Sequence, residues 1–397
     1  MNYPLISEYI ESIRYAEDNF ATLTNLRPVL DNNGNPIMSS GNFAVVFKMK
    51  DIKTNKIYAV KCFLKEQEGR EQNYQLIAEE LEDLASNYLT SIRYMKNELF
   101  VDSANSNETE FPVLLMEWIE GVTLDKYIRT HIESNYGLAM LVYRFSRLAS
   151  WLLSQPFAHG DLKLDNILVK EDGSLVLVDY DGMYVPAMKG QKAREIGSPD
   201  FRHPQRTEEQ FNEHIDDFAI ASILLSLKAI SLTPQLLSQY GATDRLLFSQ
   251  NDYSDLSSSN AIDALRPLMA DSELNLLYSL FLLAHSKQNL SMISFRLFNI
   301  TEPNKPHYSF INPYRKKWTI KSVERFTQEE IRLVAKAQVV DSEYGASCCF
   351  FMKNGSTIFV PMSNDSKANV GDILKMSEIE IVTLEKEGCN PIQRIRG

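Results

Sequence analysis

The segments FAVVFKMKD (residues 43–51) and IYAVKCF (57–63) are dominated by β-branched and aromatic residues and separated by Lys53-Thr54-Asn55, which predicts two strands joined by a turn. Leu76, Ile77, Leu81 and Leu84 then recur at helical spacing in a Glu-rich stretch. A further apolar strand, FPVLLMEWI (111–119), ends at Glu120-Gly121. Helical periodicity follows in Leu138, Leu141, Val142, Phe145, Leu148 and Leu152. Two short strands, NILVK and LVLVDY, flank a turn at Gly173, and residues 215–300 read as mostly helical. Ahead of all this, residues 1–37 mix short helical patterns with turn signals, including the loop Asn32 to Pro36.

The pattern breaks at Glu302-Pro303-Asn304-Lys305-Pro306, with Pro313 shortly after. Beyond the break a short helix is expected from Gln328 to Ala337. The strands QVVDSEY, SCCFFMK, STIFVPM, DILKM and EIVTLEK follow, separated by Gly and Asn turns. This reads as a small β-rich domain, expected to be a partly closed barrel. The organisation expected is an N-terminal extension (1–37), a main body (38–302), a linker (303–313) and a β-rich accessory domain (314–397). The fold class is α+β.

Composition narrows the function. The 397 residues hold 44% apolar and 23% charged positions, which is ordinary for a chain with a sizeable core. With 41 Lys+Arg against 52 Asp+Glu the net charge is −11, arguing against nucleic acid or an anionic membrane as a general partner. The acidity is uneven: residues 310–397 carry 13 basic and 11 acidic side chains, so the excess lies before them. Cys62, Cys348, Cys349 and Cys389 show no C-x-x-C spacing, which excludes a disulfide framework or zinc site as the first reading. Glu8 and Glu11 interrupt the start where a signal peptide would be apolar, and the most apolar stretch, Phe218 to Leu232, is too short for a bilayer. The expectation is a soluble cytoplasmic protein.

The most specific chemistry lies in His159-Gly160-Asp161-Leu162-Lys163-Leu164-Asp165-Asn166. Thirteen residues on, Asp179 ends the apolar run Leu175-Val176-Leu177-Val178. Phosphoryl transfer needs a carboxylate to orient an attacking hydroxyl, oxygen ligands for magnesium, and a cation on the nucleotide phosphates. Asp161 fits the first role, and Asn166 with Asp179 the second. Lys61, in the strand containing Ala59-Val60, supplies the cation. Before it, Ser39 to Val46 fills the template G-x-G-x-x-G-x-V as S-x-G-x-x-A-x-V, with Gly41, Ala44 and Val46 in the defining places. A hairpin of small residues lets backbone N–H groups approach phosphate.

Taken in order across roughly residues 38–300, these residues resemble the protein-kinase family. The resemblance implies a two-lobed fold, lobes 38–118 and 119–302, with ATP and Mg2+ in the cleft between them. It implies Lys61 on the α/β-phosphates, Asp161 as catalytic-loop base, Lys163 on the transferred phosphate, and Asn166 and Asp179 as metal ligands. Met116 to Ile119 resembles the hinge that meets adenine, with Met116 as gatekeeper and Glu117 and Ile119 beside it. Ala59 and Leu168 belong to the same nucleotide pocket. Gly197-Ser198-Pro199 through Pro204 resembles the end of an activation segment. Asp216 stands where the family's D-x-W aspartate braces the catalytic loop. Glu80 is preferred over Glu79 as the helix glutamate paired with Lys61.

Three departures stand out. The H-R-D arginine is Gly160, D-F-G reads Asp179-Tyr180-Asp181 followed by Gly182, and Gln205 replaces the A-P-E glutamate. H-G-D with D-x-D resembles the aminoglycoside and choline phosphotransferases, which act on small molecules. Lys163, the G-S-P element and Asp216 favour a serine/threonine protein kinase with a protein substrate, and a small-molecule kinase or a nucleotide-binding pseudokinase remains as the alternative. The C-terminal domain carries no catalytic motif and reads as a module that recruits a protein partner.

Overall fold

The computed structural model describes residues 2–82, 84, 86–287, 300–304, 319–342, 345–385 and 391–397. The chain divides into two compact units, Met1–Glu302 and Pro303–Gly397. Part of the expected linker, the end of the predicted 215–300 helical region, and Cys389 lie outside the described residues.

The first unit opens with helices α1 (Ile6–Arg14) and α2 (Ala16–Asn19), followed by a six-stranded antiparallel sheet. Its strands are β1 (Leu26–Pro28), β2 (Met38–Ser40), β3 (Ala44–Asp51), β4 (Ile57–Phe63), β5 (Ile92–Phe100) and β6 (Glu110–Glu117). They run in the order β1-β3-β4-β6-β5, with β2 also on β3, and helix α3 (Arg70–Glu82) lies between β4 and β5 in sequence. Alternation along the strands sorts the side chains onto two faces. Val45, Phe47, Met49, Val60, Cys62, Val113 and Leu115 form one core with Tyr9, Ile13, Ala16 and Phe20. Ala44, Phe63 and Leu114 face the other way, toward Tyr74, Ile77 and Leu81 of α3. Helices α1 and α2 are therefore built into the sheet's back. The Tyr9 hydroxyl donates to the Phe63 carbonyl (2.8 Å), and the buried Glu98 carboxylate accepts from the backbone N–H groups of Thr22 (2.8 Å) and Leu23 (2.7 Å).

After β6 come β7 (Gly121–Thr123), α4 (Leu124–Thr130), α5 (Asn135–Leu152), β8 (Ile167–Lys170) and β9 (Leu175–Leu177), the three strands pairing as β7-β8-β9. Helix α6 (Asp217–Leu232) is buried along all but its last two residues, so its sequence is apolar on every side. Lys228 is tolerated there because its ammonium reaches Glu273 (2.7 Å) and Asp271 (3.3 Å). Helices α7 (Gln235–Tyr240), α8 (Gln250–Ser254), α9 (Asn260–Asp263) and α10 (Ser272–Lys287) complete the unit as described.

The second unit is β-rich, with β10 (Thr319–Arg325), α11 (Gln328–Leu333), β11 (Val334–Ser342), β12 (Gly345–Met352), β13 (Thr357–Pro361), β14 (Ile373–Leu374), β15 (Glu380–Glu385) and β16 (Ile392–Arg396). The described residues form two sheets, β10-β15-β16 and β13-β12-β11-β14, joined by a bridge between Met362 and Ile395. The expected helix to Ala337 stops at Leu333, because Val334 to Ser342 pair along β12. Cys348 and Cys349 are buried free thiols in that strand. Among the described residues, no helix is long and apolar enough to cross a membrane.

Candidate active site

The sheet register aligns the residues expected around a nucleotide. Val46 on β3 lies opposite Lys61 on β4, Lys61 opposite Leu114 on β6, and Ala59 opposite Met116. Gly41 sits at the tip of the β2–β3 hairpin, where its N–H donates to the Ala44 carbonyl (2.9 Å) and a Cβ would meet nothing within 4 Å. Glu117 ends β6, and the next residue, Trp118, donates its N–H to the Ile57 carbonyl (3.2 Å). Ile119 follows in the connection to β7, and Leu168 lies on β8 opposite Val176 and Thr123.

Between α5 and the single turn Leu164–Asn166, the His159–Lys163 segment is fixed from several directions. The buried Asp216 carboxylate accepts from the backbone N–H of both His159 and Gly160, the latter at 2.9 Å. Arg206 Nη1 donates to the Gly160 carbonyl (2.9 Å), and His159 Nε2 lies 3.0 Å from the Val178 carbonyl. Gly160 has φ +83°, and a Cβ on it would stand 1.9 Å from the Gly182 carbonyl oxygen. Glycine at this place follows from the backbone of the Asp179–Gly182 segment crossing it at contact distance.

Asp161 is the meeting point. Lys163 Nζ donates to its Oδ2 (2.7 Å), and the Ser198 N–H and hydroxyl donate to its Oδ1 (2.9 and 3.1 Å). Burial alone would raise the Asp161 pKa, but Lys163 and the Ser198 N–H outweigh it and hold the carboxyl below its ordinary value. Burial opposes the Lys163 charge, and the Asp161 carboxylate keeps its pKa above the ordinary value. Asn166 Nδ2 donates to the Asp161 carbonyl (2.9 Å) and carboxylate (3.2 Å), which leaves its Oδ1 as the acceptor atom of the amide.

Asp179 has φ +68°, in the left-handed region that Asp tolerates better than most residues. Its Oδ1 accepts from Lys61 Nζ at 2.6 Å, and Asp181 Oδ1 accepts from the same ammonium at 2.6 Å. Burial opposes the Lys61 charge, yet Tyr74, Asp179 and Asp181 together keep its pKa well above the ordinary value. Burial likewise opposes ionisation of Asp179, and Lys61 lowers its pKa nonetheless.

The helix partner differs from the expectation. Lys61 meets Asp179 and Asp181, not Glu80 or Glu79. The reason is the rotation of α3, whose buried side chains are Arg70, Tyr74, Ile77 and Leu81. Tyr74 presents its hydroxyl to Asp181. At 3.6 residues per turn, Glu80 projects roughly 120° away from Tyr74 and lies ~9 Å further along the axis. Tyr74 and Asp181 were not singled out as Lys61 partners from the sequence. The available signal was the absence of an unambiguous helix glutamate together with an extra Asp where D-F-G has Gly.

Glu195 also faces this cluster. Burial, then the charges of Asp181, Asp179 and Asp161, push its carboxyl up to about 7. The chemistry of the donors suits a hard cation: the Asp179 carboxylate is 42% exposed, and Asn166 offers an amide oxygen.

The description "protein kinase domain" matches residues 35–247, more than half of the chain. The chain belongs to the protein kinase family. Serine/threonine-protein kinase ROP18 of Toxoplasma gondii is 26% identical over 197 residues, covering 43% of this chain and 35% of that protein. Serine/threonine-protein kinase WNK of Caenorhabditis elegans is 26% identical over 195 residues, 48% of this chain and 10% of the relative. Serine/threonine-protein kinase 1 of Arabidopsis thaliana is 25% identical over 189 residues, 46% and 21% respectively. The chain thus matches about a third or less of the length of these relatives. The kinase domain's H-G-D sequence has a local packing cause in the Gly160–Gly182 contact, so it does not require kinship with small-molecule phosphotransferases.

Proposed function

We propose that this chain is an ATP-dependent serine/threonine protein kinase that transfers the γ-phosphate of ATP to a hydroxyl on a protein. The observation that carries the proposal is the seat at Asp161. An alcohol hydroxyl, that of Ser198, already rests on Oδ1 at 3.1 Å while Lys163 holds Oδ2 at 2.7 Å. A substrate hydroxyl on the same carboxylate would be oriented by it and would release its proton to it, and Lys163 would face the phosphoryl oxygens. The Lys61 ammonium would meet the α/β-phosphates, and Ala59, Met116, Glu117, Ile119 and Leu168 would surround the base and sugar under the Gly41–Val46 hairpin. Asn166 and Asp179 would hold magnesium, which supplies charge neutralisation on the β- and γ-phosphates. The names of the relatives support a serine/threonine acceptor. We place the protein in the cytoplasm and assign the second unit the recruitment of a protein partner.

The test is incubation with γ-labelled ATP, Mg2+ and mixed protein acceptors, run beside Asp161→Asn. Label should enter protein bands, and Asp161→Asn should keep ATP binding while losing ~10²–10⁴-fold in turnover. Label found only in small molecules, or wild-type turnover in the variant, would overturn the proposal.

A further inference from the structure

The run Asp179-Tyr180-Asp181-Gly182 gives each residue a separate contact. Tyr180 is buried, donates its hydroxyl to the Leu177 carbonyl (3.0 Å) and accepts from the Thr90 N–H (2.9 Å). Gly182 packs against Gly160. The two aspartates grip one ammonium from different surroundings. The Asp179 side chain is 42% exposed, whereas that of Asp181 is 14% exposed and that of Lys61 only 6%. Asp179 is therefore the more accessible of the two carboxylates, the one a cation could reach, and Asp181 is the more enclosed.

A third group fixes Asp181. The Tyr74 hydroxyl donates to the same Oδ1 that takes Lys61. Tyr74 is itself held by an aromatic cluster, stacked on Tyr94 at 5.9 Å and 15° and packed against Phe63 at 6.0 Å. Bringing Glu80 to the lysine would require α3 to turn by roughly 120°, pulling Tyr74 out of that cluster.

We propose that Asp181, held by Tyr74, is the positioning residue for Lys61, taking the place of a helix glutamate and serving as the lysine's fixed counter-ion when Asp179 engages a cation. This rests on the reading of Lys61 as the phosphate-binding lysine. It makes the lysine's orientation a property of the segment that also carries the metal ligand.

The experiment measures KM and kcat for MgATP with casein as acceptor. It also measures MgATP affinity by displacement of a fluorescent ATP analogue, all on the full chain. A hydrogen bond to a charged group contributes ~1.5–3 kcal/mol, so Asp181→Asn should raise KM and the dissociation constant about tenfold or more. Its effect on kcat should be smaller. Asp181→Glu should recover part of the loss, and Tyr74→Phe should shift KM the same way by about threefold, a change of under 1 kcal/mol. Glu80→Gln should stay within twofold of wild type. Asp181→Asn within twofold of wild type, or Glu80→Gln matching the Asp181 defect, would overturn the inference. Lys61→Met separates the levels. If it alone weakens MgATP, only the role of Asp181 fails; if it leaves MgATP binding intact, the reading of Lys61 fails and carries the inference with it. Should Asp181→Asn not fold, Tyr74→Phe against Glu80→Gln decides by the same criterion.

Discussion

Gly160 offers a sharp perturbation, because the side chain most expected in a kinase at this place is one the backbone cannot accept. An alanine there would hold φ +83° and place its Cβ 1.9 Å from the Gly182 carbonyl oxygen and 2.6 Å from its carbon, both backbone atoms. The left-handed conformation costs a non-glycine residue roughly 1–2 kcal/mol. Relieving the overlap requires the backbone to move by about 1 Å or more against three anchors: Asp216 on the Gly160 N–H, Arg206 on its carbonyl, and Asp216 again on His159. Overpacking of this kind costs ~1–3 kcal/mol, for a total of about 2–5 kcal/mol. That is a large part of a stability of ~5–15 kcal/mol, and at ~2–4 °C per kcal/mol it lowers Tm by roughly 4–20 °C. Asp161 is the next residue, so turnover should fall with stability. Gly160→Arg, which restores the family's common H-R-D, should be at least as damaging as Gly160→Ala. Thermal unfolding and steady-state turnover of both variants give the answer. A Tm within 1 °C of wild type together with turnover within twofold would refute the reasoning.

Two further outcomes are expected. Glu195→Gln should stabilise the protein in the absence of Mg2+, by an amount that grows as pH rises from about 4.5 to about 7 and then levels off. The native carboxyl keeps its proton up to about 7 while the unfolded one loses it near 4.5, so ionisation opposes the native state across that window; a pH-independent Tm difference would contradict it. Phosphatase treatment and Tyr184→Phe should each leave activity within twofold. The hydroxyl-bearing residues from Asp179 to Pro204 are Tyr180 and Tyr184, both buried, and Ser198, bonded to Asp161, while no arginine precedes Asp161 to receive a phosphate; a tenfold fall in either sample would sink this.

Much of the kinase body was legible because its signals are local. Strands β3 and β4 announce themselves through β-branched runs, and Lys61, Asp161, Asn166 and Asp179 sit at spacings set by short turns between paired strands. Strand β5 escaped notice because polar residues fill its middle and its register with β6 shifts between Met95 and Leu99, which breaks the alternation. Strand β10 was missed for a related reason: all but one of its residues are exposed, so neither face is buried. The partner of Lys61 was misread because helical periodicity gives a buried stripe without saying which member of it points at a distant strand. Tyr74 won that position through Phe63 and Tyr94, contacts that no local window contains.

The N-terminal helices give the catalytic domain an outline that family likeness alone would draw too small. Likeness begins at residue 35, yet Tyr9, Ile13 and Phe20 share a core with Val60 and Cys62, the immediate neighbours of Lys61 on its strand. Burying each such side chain contributes ~1.5–3 kcal/mol. The cooperative unit therefore begins well upstream of the recognisable motif. The strand that bears the lysine has a fitted lining on its reverse side, closing to outside regulators a surface that the bare sheet would have left open.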